Sequence, residues 1–292
     1  MTRTKLFLLL AAVWCLSAAP VRSQDIHFSQ MYNTPLNLNP ALTGSFDGVV
    51  RASNNYRSQW SSLGKGYKTL QLSVDAPLNK ERGSNRYFGG GLFIYQDKAG
   101  SAQFTQTAVL ASLSYTMAMD DALSHWVSVG FQTGIRQWAF DFSSATWDEQ
   151  WNGDSYDPSI PTTEVIQLPT FSYLDFNAGL NYRYAADEFN SVDAGISMYH
   201  IGSPNATFFT NEDNALLNRI SIHGSGDFSL DDERMTFVNP RLLVQFQGKE
   251  KTVVFGGYVR NKLRLKSIYT DFQKEIFFDW GLFYRLNESF IA

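Results

Sequence analysis

Apolar and polar side chains alternate along this chain with a period of two, over stretches of about ten residues. Leu174, Phe176, Ala178, Leu180, Tyr182 and Tyr184 fall on one face of an extended segment, and Asp175, Asn177, Gly179, Asn181 and Arg183 on the other. Ile276, Phe278, Trp280, Leu282, Tyr284 and Leu286 alternate likewise with Phe277, Asp279, Gly281, Phe283 and Arg285. So do Val127, Val129, Phe131 and Ile135 with Ser128, Gly130, Gln132, Gly134 and Arg136. A helix would need a period near 3.6, so these are strands. About eleven are expected, beginning near Val49, Thr69, Tyr87, Phe104, Leu123, Phe171, Ser191, Leu217, Met235, Thr252 and Glu275.

Two all-β architectures produce such alternation. A soluble sandwich has strands of about five or six residues and turns its polar face to water. The strands here are longer, and their ends are rich in Tyr, Trp and Phe, as at the two interfaces of a membrane. The pattern therefore favours a transmembrane antiparallel outer-membrane β-barrel with an apolar face to lipid and a polar face to a lumen. Its connections alternate in length. Met119 to Ala122, Ala186 to Phe189 and Leu230 to Glu233 are tight acidic turns, whereas Asp141 to Thr170 and Ser203 to Leu216 are long. With the N-terminus in the periplasm, the longest connection falls on the cell surface.

Composition supports this reading. Charged residues are 18% and aromatics 15% of the chain, yet mean hydropathy is only −0.23. No stretch after the N-terminal segment approaches the 18 apolar residues of a spanning helix. The N-terminus reads as a secretion signal over 1–23: Arg3 and Lys5, then the run Leu6 to Val13, then Val21 and Ser23 ahead of Gln24. Cys15 lies inside that run, and Trp14 before it does not suit a lipoprotein signal, so the mature chain is expected to hold no cysteine and no disulfide. Removal of Arg3, Lys5 and Arg22 leaves 21 basic against 28 acidic residues, a balance that argues against nucleic-acid binding.

Residues 24–45 are expected to form a non-strand lead segment ahead of a barrel spanning 46–292. Asn33, Pro35, Asn37, Asn39 and Pro40 cannot sit in a strand ladder, because proline has no amide hydrogen and restrains the residue before it. The segment is expected to act as a plug or periplasmic contact rather than a spacer, with Phe28 and Leu36 anchored in the lumen mouth. Phe28, Pro35, Asn39 and Pro40 are candidate partner-binding residues. A second candidate set lies in the longest connection, where Trp147, Trp151 and Tyr156 stand among Asp148, Glu149, Asp154 and Asp157. The acids do not have EF-hand spacing, and exposed aromatics suit a protein contact better than calcium, with an ordinary solvated loop as the equal alternative.

No catalytic, cofactor or metal motif is present. His27, His125, His200 and His223 lack ligand spacing, and Gly89, Gly90 and Gly91 read as barrel curvature rather than a phosphate loop. The inner-face charges Arg51, Asp75, Arg136, Asp175, Arg183, Asp193, Arg241 and Arg285 mix both signs, which favours pairing across a narrow lumen over a selective pore.

The lead sequence carries a resemblance. Gln24-Asp25-Ile26-His27-Phe28-Ser29-Gln30, Pro35 to Gly44, Tyr56-Arg57-Ser58-Gln59-Trp60 and Val74-Asp75-Ala76-Pro77-Leu78 occur in the order and spacing of the PorP/SprF family, and only these first eighty or so residues are diagnostic. The resemblance implies an integral outer-membrane barrel of Bacteroidetes, associated with type IX secretion and gliding motility. The implied partners are outer-membrane lipid, a large secreted surface adhesin and other secretion components. A channel for small solutes is the alternative. Family chains run on for several strands, so a full barrel of about fourteen strands is expected, with this sequence lacking the last ones and leaving open edges near Arg51 and Tyr284.

Overall fold

A computed structural model describes residues 25, 28, 30–63, 66–81, 83–100, 103–141, 147–157, 159–161, 163, 168–209, 214–231, 235–263, 276–286 and 289–291. The secretion signal expected over 1–23 lies outside them. The chain is all-β. Its strands are β1 (Arg51–Gln59), β2 (Tyr67–Leu78), β3 (Arg86–Ala99), β4 (Phe104–Ala118), β5 (His125–Ala139), β6 (Thr170–Ala185), β7 (Ser191–Tyr199), β8 (Arg219–Ser229), β9 (Thr236–Gln247), β10 (Glu250–Leu263), β11 (Ile276–Arg285) and the short β12 (Ser289–Ile291). They form one antiparallel sheet in sequence order, each strand beside the next. Eleven long strands thus start within two residues of the positions that alternation marks.

Burial in this sheet is inverted relative to a soluble domain. On β6, Asn177 and Asn181 are 0% and 3% exposed, while Phe176 and Leu180 are 40% and 51% exposed. Ser112, Ser114, Ser128 and Gln132 are buried, whereas Val109, Leu113, Val129, Phe131 and Ile135 of the same strands are exposed. Water would drive the opposite arrangement, since uncovered apolar area costs about 25 cal/mol per Å². The sandwich is thereby set aside, and hydrocarbon is the solvent that suits the outer face.

Connections fall on two rims. One rim carries the short connections from β2 to β3, β4 to β5, β6 to β7 and β8 to β9; the other carries the long connections between β5 and β6 and between β7 and β8. Length does not alternate throughout, because Gly248 and Lys249 make a tight turn on the long-connection rim. The turn after β4 is closed by Asp120, whose carboxylate accepts the amides of His125 (2.8 Å) and Ser124 (3.1 Å). These amides, that of His125 foremost, hold its carboxyl below the usual carboxylate range.

Among the described residues the sheet does not close: β1 pairs only with β2, through a register that sets Arg51 opposite Asp75. At the far edge Tyr284 is not open as expected: β12 pairs with Phe283, Tyr284 and Arg285, and the open stretch of β11 runs from Ile276 to Leu282.

Candidate functional site

Residues 31–44 pair with no strand. They form a 3-10 turn (Met31–Asn33), the single-turn helix α1 (Pro35–Leu38) and a second 3-10 turn (Pro40–Leu42). Pro35 and Pro40 each open a helical turn, the position where a missing amide hydrogen costs nothing. Between them Asn39 is extended and caps the second turn, its Oδ1 accepting the Ala41 amide at 2.9 Å. Thr43 Oγ1 donates to the Pro40 carbonyl at 2.7 Å.

This lead segment touches strands from one edge of the sheet to the other. Gly44 N donates to Asp75 of β2 at 2.7 Å, and the ring of Tyr32 stacks on Phe283 of β11 at 5.3 Å. A segment of this size reaches both only because the sheet curls around it, and it occupies the resulting lumen. At its start, the Asp25 amide donates to Gln247 Oε1 on the long-connection rim. Its end at Gly44 approaches the short-turn ends of β2 and β3. The chain therefore runs the length of the lumen before entering β1.

Two features of the wall hold it. The first is a set of missing side chains. A Cβ on Gly89 would lie 2.1 Å from the Thr43 carbonyl oxygen, one on Gly130 2.2 Å from Ala41 N, and one on Gly179 1.9 Å from Asn39 Oδ1. Gly89 of β3 and Gly130 of β5 let main chain lie directly on main chain, and Gly179 of β6 makes room for the Asn39 side chain. The second is a row of wall donors aimed at segment carbonyls. Gln132 reaches Leu36 O (3.3 Å), Arg219 reaches Asn37 O (3.3 Å), Ser197 reaches Leu38 O (2.8 Å), Arg51 reaches Leu42 O (2.9 Å) and Ser114 reaches Thr43 O (2.6 Å). The last carbonyls of α1 have no partner within the helix, and wall side chains supply one.

Several segment side chains are gripped closely: Met31 packs with Leu243, Val254, Tyr258 and Phe283, and Thr43 Oγ1 stands 2.6 Å from Ser112 Oγ. Leu36 is fully buried against Phe93, Tyr95, Ala108 and Leu110. Asn39 Nδ2 donates to Leu180 O at 2.9 Å and meets His223 Nε2 at 3.1 Å.

Above α1, toward the long-connection rim, lies a buried tier of charge. His200 stands between Asp25 (2.7 Å from Nε2) and Asp175 (2.8 Å from Nδ1). Arg136 pairs with Asp175 at 2.6 Å and donates to Tyr95 Oη at 2.6 Å. Arg219 pairs with Asp25 at 3.0 Å and lies over the Tyr199 ring. Toward the short-turn rim Arg51 and Asp75 pair at 2.6 Å, and Arg241 and Asp227 at 2.8 Å. At the rim itself Phe104, Trp138, Phe171 and Phe208 pack ring on ring, the Phe171 and Phe208 centroids 4.7 Å apart. The short-turn side is looser. Cavities of about 380 and 140 Å³ lie there, with Ser45 and Arg183 lining both.

The sequence-derived candidates separate into two places. Pro35, Asn39 and Pro40 are buried in the lumen, and Phe28 lies half-buried beside Met31, Leu243 and Val254. Trp147, Trp151, Asp154 and Tyr156 stand on the connection between β5 and β6, where Trp151 and Tyr156 bridge their backbones and pack edge to face at 5.1 Å. Several acids there serve the loop itself. Glu149 accepts from the Thr163 amide and hydroxyl. Asp157 accepts from the hydroxyl and amide of Ser159, which hold its carboxyl below the ordinary value. Sequence reasoning missed Asp25, His200, Arg219 and the glycine track. Each depends on a partner far away in the chain.

A family model described as type IX secretion system membrane protein PorP/SprF matches residues 21–292. Among curated proteins, none matches the chain.

Proposed function

Since the chain belongs to the PorP/SprF family of type IX secretion system membrane proteins, we propose that it is a non-enzymatic outer-membrane component of that machinery, occluded by its own lead segment. In this reading it supports export or surface anchoring of a large adhesin through protein contacts. The observation that carries it is the filled lumen: main chain of residues 31–44 lies against the wall, beneath a buried charged tier and an aromatic cover. A solute channel needs a water-filled path, whereas paired charges and packed rings favour a closed wall. The polar residues buried inside and the apolar residues exposed outside support integral insertion as a barrel.

Planar-bilayer recording of the full-length protein tests this. No steady conductance is expected, and a stable open pore would overturn the occluded reading. Orientation is tested by an epitope inserted at Gly153, an exposed turn residue with open space around it. Labelling on intact cells is expected; labelling only after the outer membrane is broken would invert the topology.

A further inference from the structure

The lead segment is held as a bound peptide is held. It contributes no strand to the sheet, and the wall donors that reach it end on main-chain carbonyls at Leu36, Leu38, Leu42 and Thr43. Donors aimed at carbonyls do not read side-chain identity. Gly89 and Gly130 lower the wall so that a backbone can lie on it, and Gly179 opens the slot that takes the Asn39 side chain. Identity is read most specifically at the apolar pocket around Leu36 and the slot where Asn39 bonds Leu180 O and His223, with Met31 packed on Leu243 and Thr43 against Ser112 beside them. Beyond Gly44 the chain runs through residues 47–50, which are exposed and outside any strand, so the segment is tethered to β1 by a free length of backbone.

We propose that the inner wall is a polypeptide-binding surface whose resident occupant is residues 31–44. The same wall takes, in exchange, a second polypeptide segment bearing an apolar side chain three residues ahead of an Asn-Pro pair. Main-chain recognition supplies affinity and the two pockets supply selectivity, the division used wherever extended peptides are bound by proteins. The resident segment competes from an effective concentration in the millimolar range, so it sets the threshold an incoming segment must pass. This inference rests on the wall alone and does not need the secretion reading. Its failure would leave the occluded barrel in place.

The test uses the full chain in detergent micelles, on a Cys15→Ser background, with a fluorescent synthetic peptide of the sequence of residues 30–44 as probe. Thr43 Oγ1 and Ser112 Oγ are 2.6 Å apart, so Thr43→Cys with Ser112→Cys places two thiols where oxidation pins the segment to β4. The oxidised protein is expected to lose probe binding at least tenfold, and reduction to restore it. Asn39→Ala, which loosens the resident at its slot, should raise probe binding at least tenfold above the parent. Gly179→Ala, which closes the slot to resident and probe alike, should raise it less than Asn39→Ala does. A probe carrying Ala in place of the residue equivalent to Asn39 should bind at least tenfold more weakly. Equal binding by oxidised and reduced protein would overturn the proposal. So would absence of binding to the Asn39→Ala variant while its circular dichroism shows an intact sheet.

Discussion

Gly179→Ala is the smallest change that should dislodge the lead segment without touching it. The added Cβ would stand 1.9 Å from Asn39 Oδ1, far inside van der Waals contact, and the Asn39 side chain must leave its slot. Leaving breaks the bonds to Leu180 O (2.9 Å) and Ala41 N (2.9 Å) and the contact with His223 Nε2 (3.1 Å). At about 1 kcal/mol each, the segment loses about 3 kcal/mol of its hold. With a tenfold change for each ~1.4 kcal/mol, the open fraction rises roughly a hundredfold. The assay is the rate at which a soluble maleimide labels Thr43→Cys on the Cys15→Ser background. Thr43 is fully buried, so labelling reports the open state. Gly224→Ala is the control, because its nearest neighbouring atom would be 4.0 Å away. An unchanged labelling rate in Gly179→Ala would refute the claim that the glycine track seats the segment.

Three further outcomes follow from other parts of the molecule. Leu180→Arg, on the exposed apolar face, should cost about 2 to 4 kcal/mol in urea titrations from lipid vesicles if it lies near the bilayer midplane; a cost no greater than that of Leu180→Ala would place that face in water. Arg136→Met takes the guanidinium from Asp175, which is 0% exposed and keeps only His200 as a charged partner, and should cost about 3 to 5 kcal/mol. Arg260→Met breaks a pair with Asp279 that is 39% and 40% exposed and should cost about 0 to 1 kcal/mol, so similar losses in equilibrium unfolding would refute the buried tier. Asp120 titrates below its unfolded value, so the stability it lends the turn after β4 is present above the ordinary carboxylate range and disappears as pH falls through the lowered value. Asp120→Ala should therefore unfold before the parent at neutral pH and together with it at strongly acid pH; a gap that persisted in acid would refute the assignment.

The strands were legible because their information is local. A period of two and the turn residues between segments placed strand starts within two residues, and the alternation told which face Phe176 and Asn177 occupy. Pro35 and Pro40 likewise announced, from their own chemistry, a segment outside the ladder. The lumen contents were not legible to the same depth. His200 is a single histidine among four until Asp25 and Asp175 stand on either side of it, 175 and 25 residues away in sequence. Gly179 looks like one more small residue on a polar face until Asn39 is placed opposite. Mixed inner charges suggested pairing, yet the partner of Arg241 proved to be Asp227, which alternation alone does not single out.

The lead segment is made first and fitted last. Four of its contacts join residues separated by 96, 141, 159 and 182 positions, so its seat is incomplete until strands from β5 to β8 have come together. Contacts so distant in sequence form late, because closing the intervening loops costs entropy before any bond is gained. During assembly the nascent sheet must therefore bend around an empty core, with the polar groups of Gln132, Asn177 and Ser197 still served by water. Insertion and sealing become separate events, and a barrel can be embedded before it is shut.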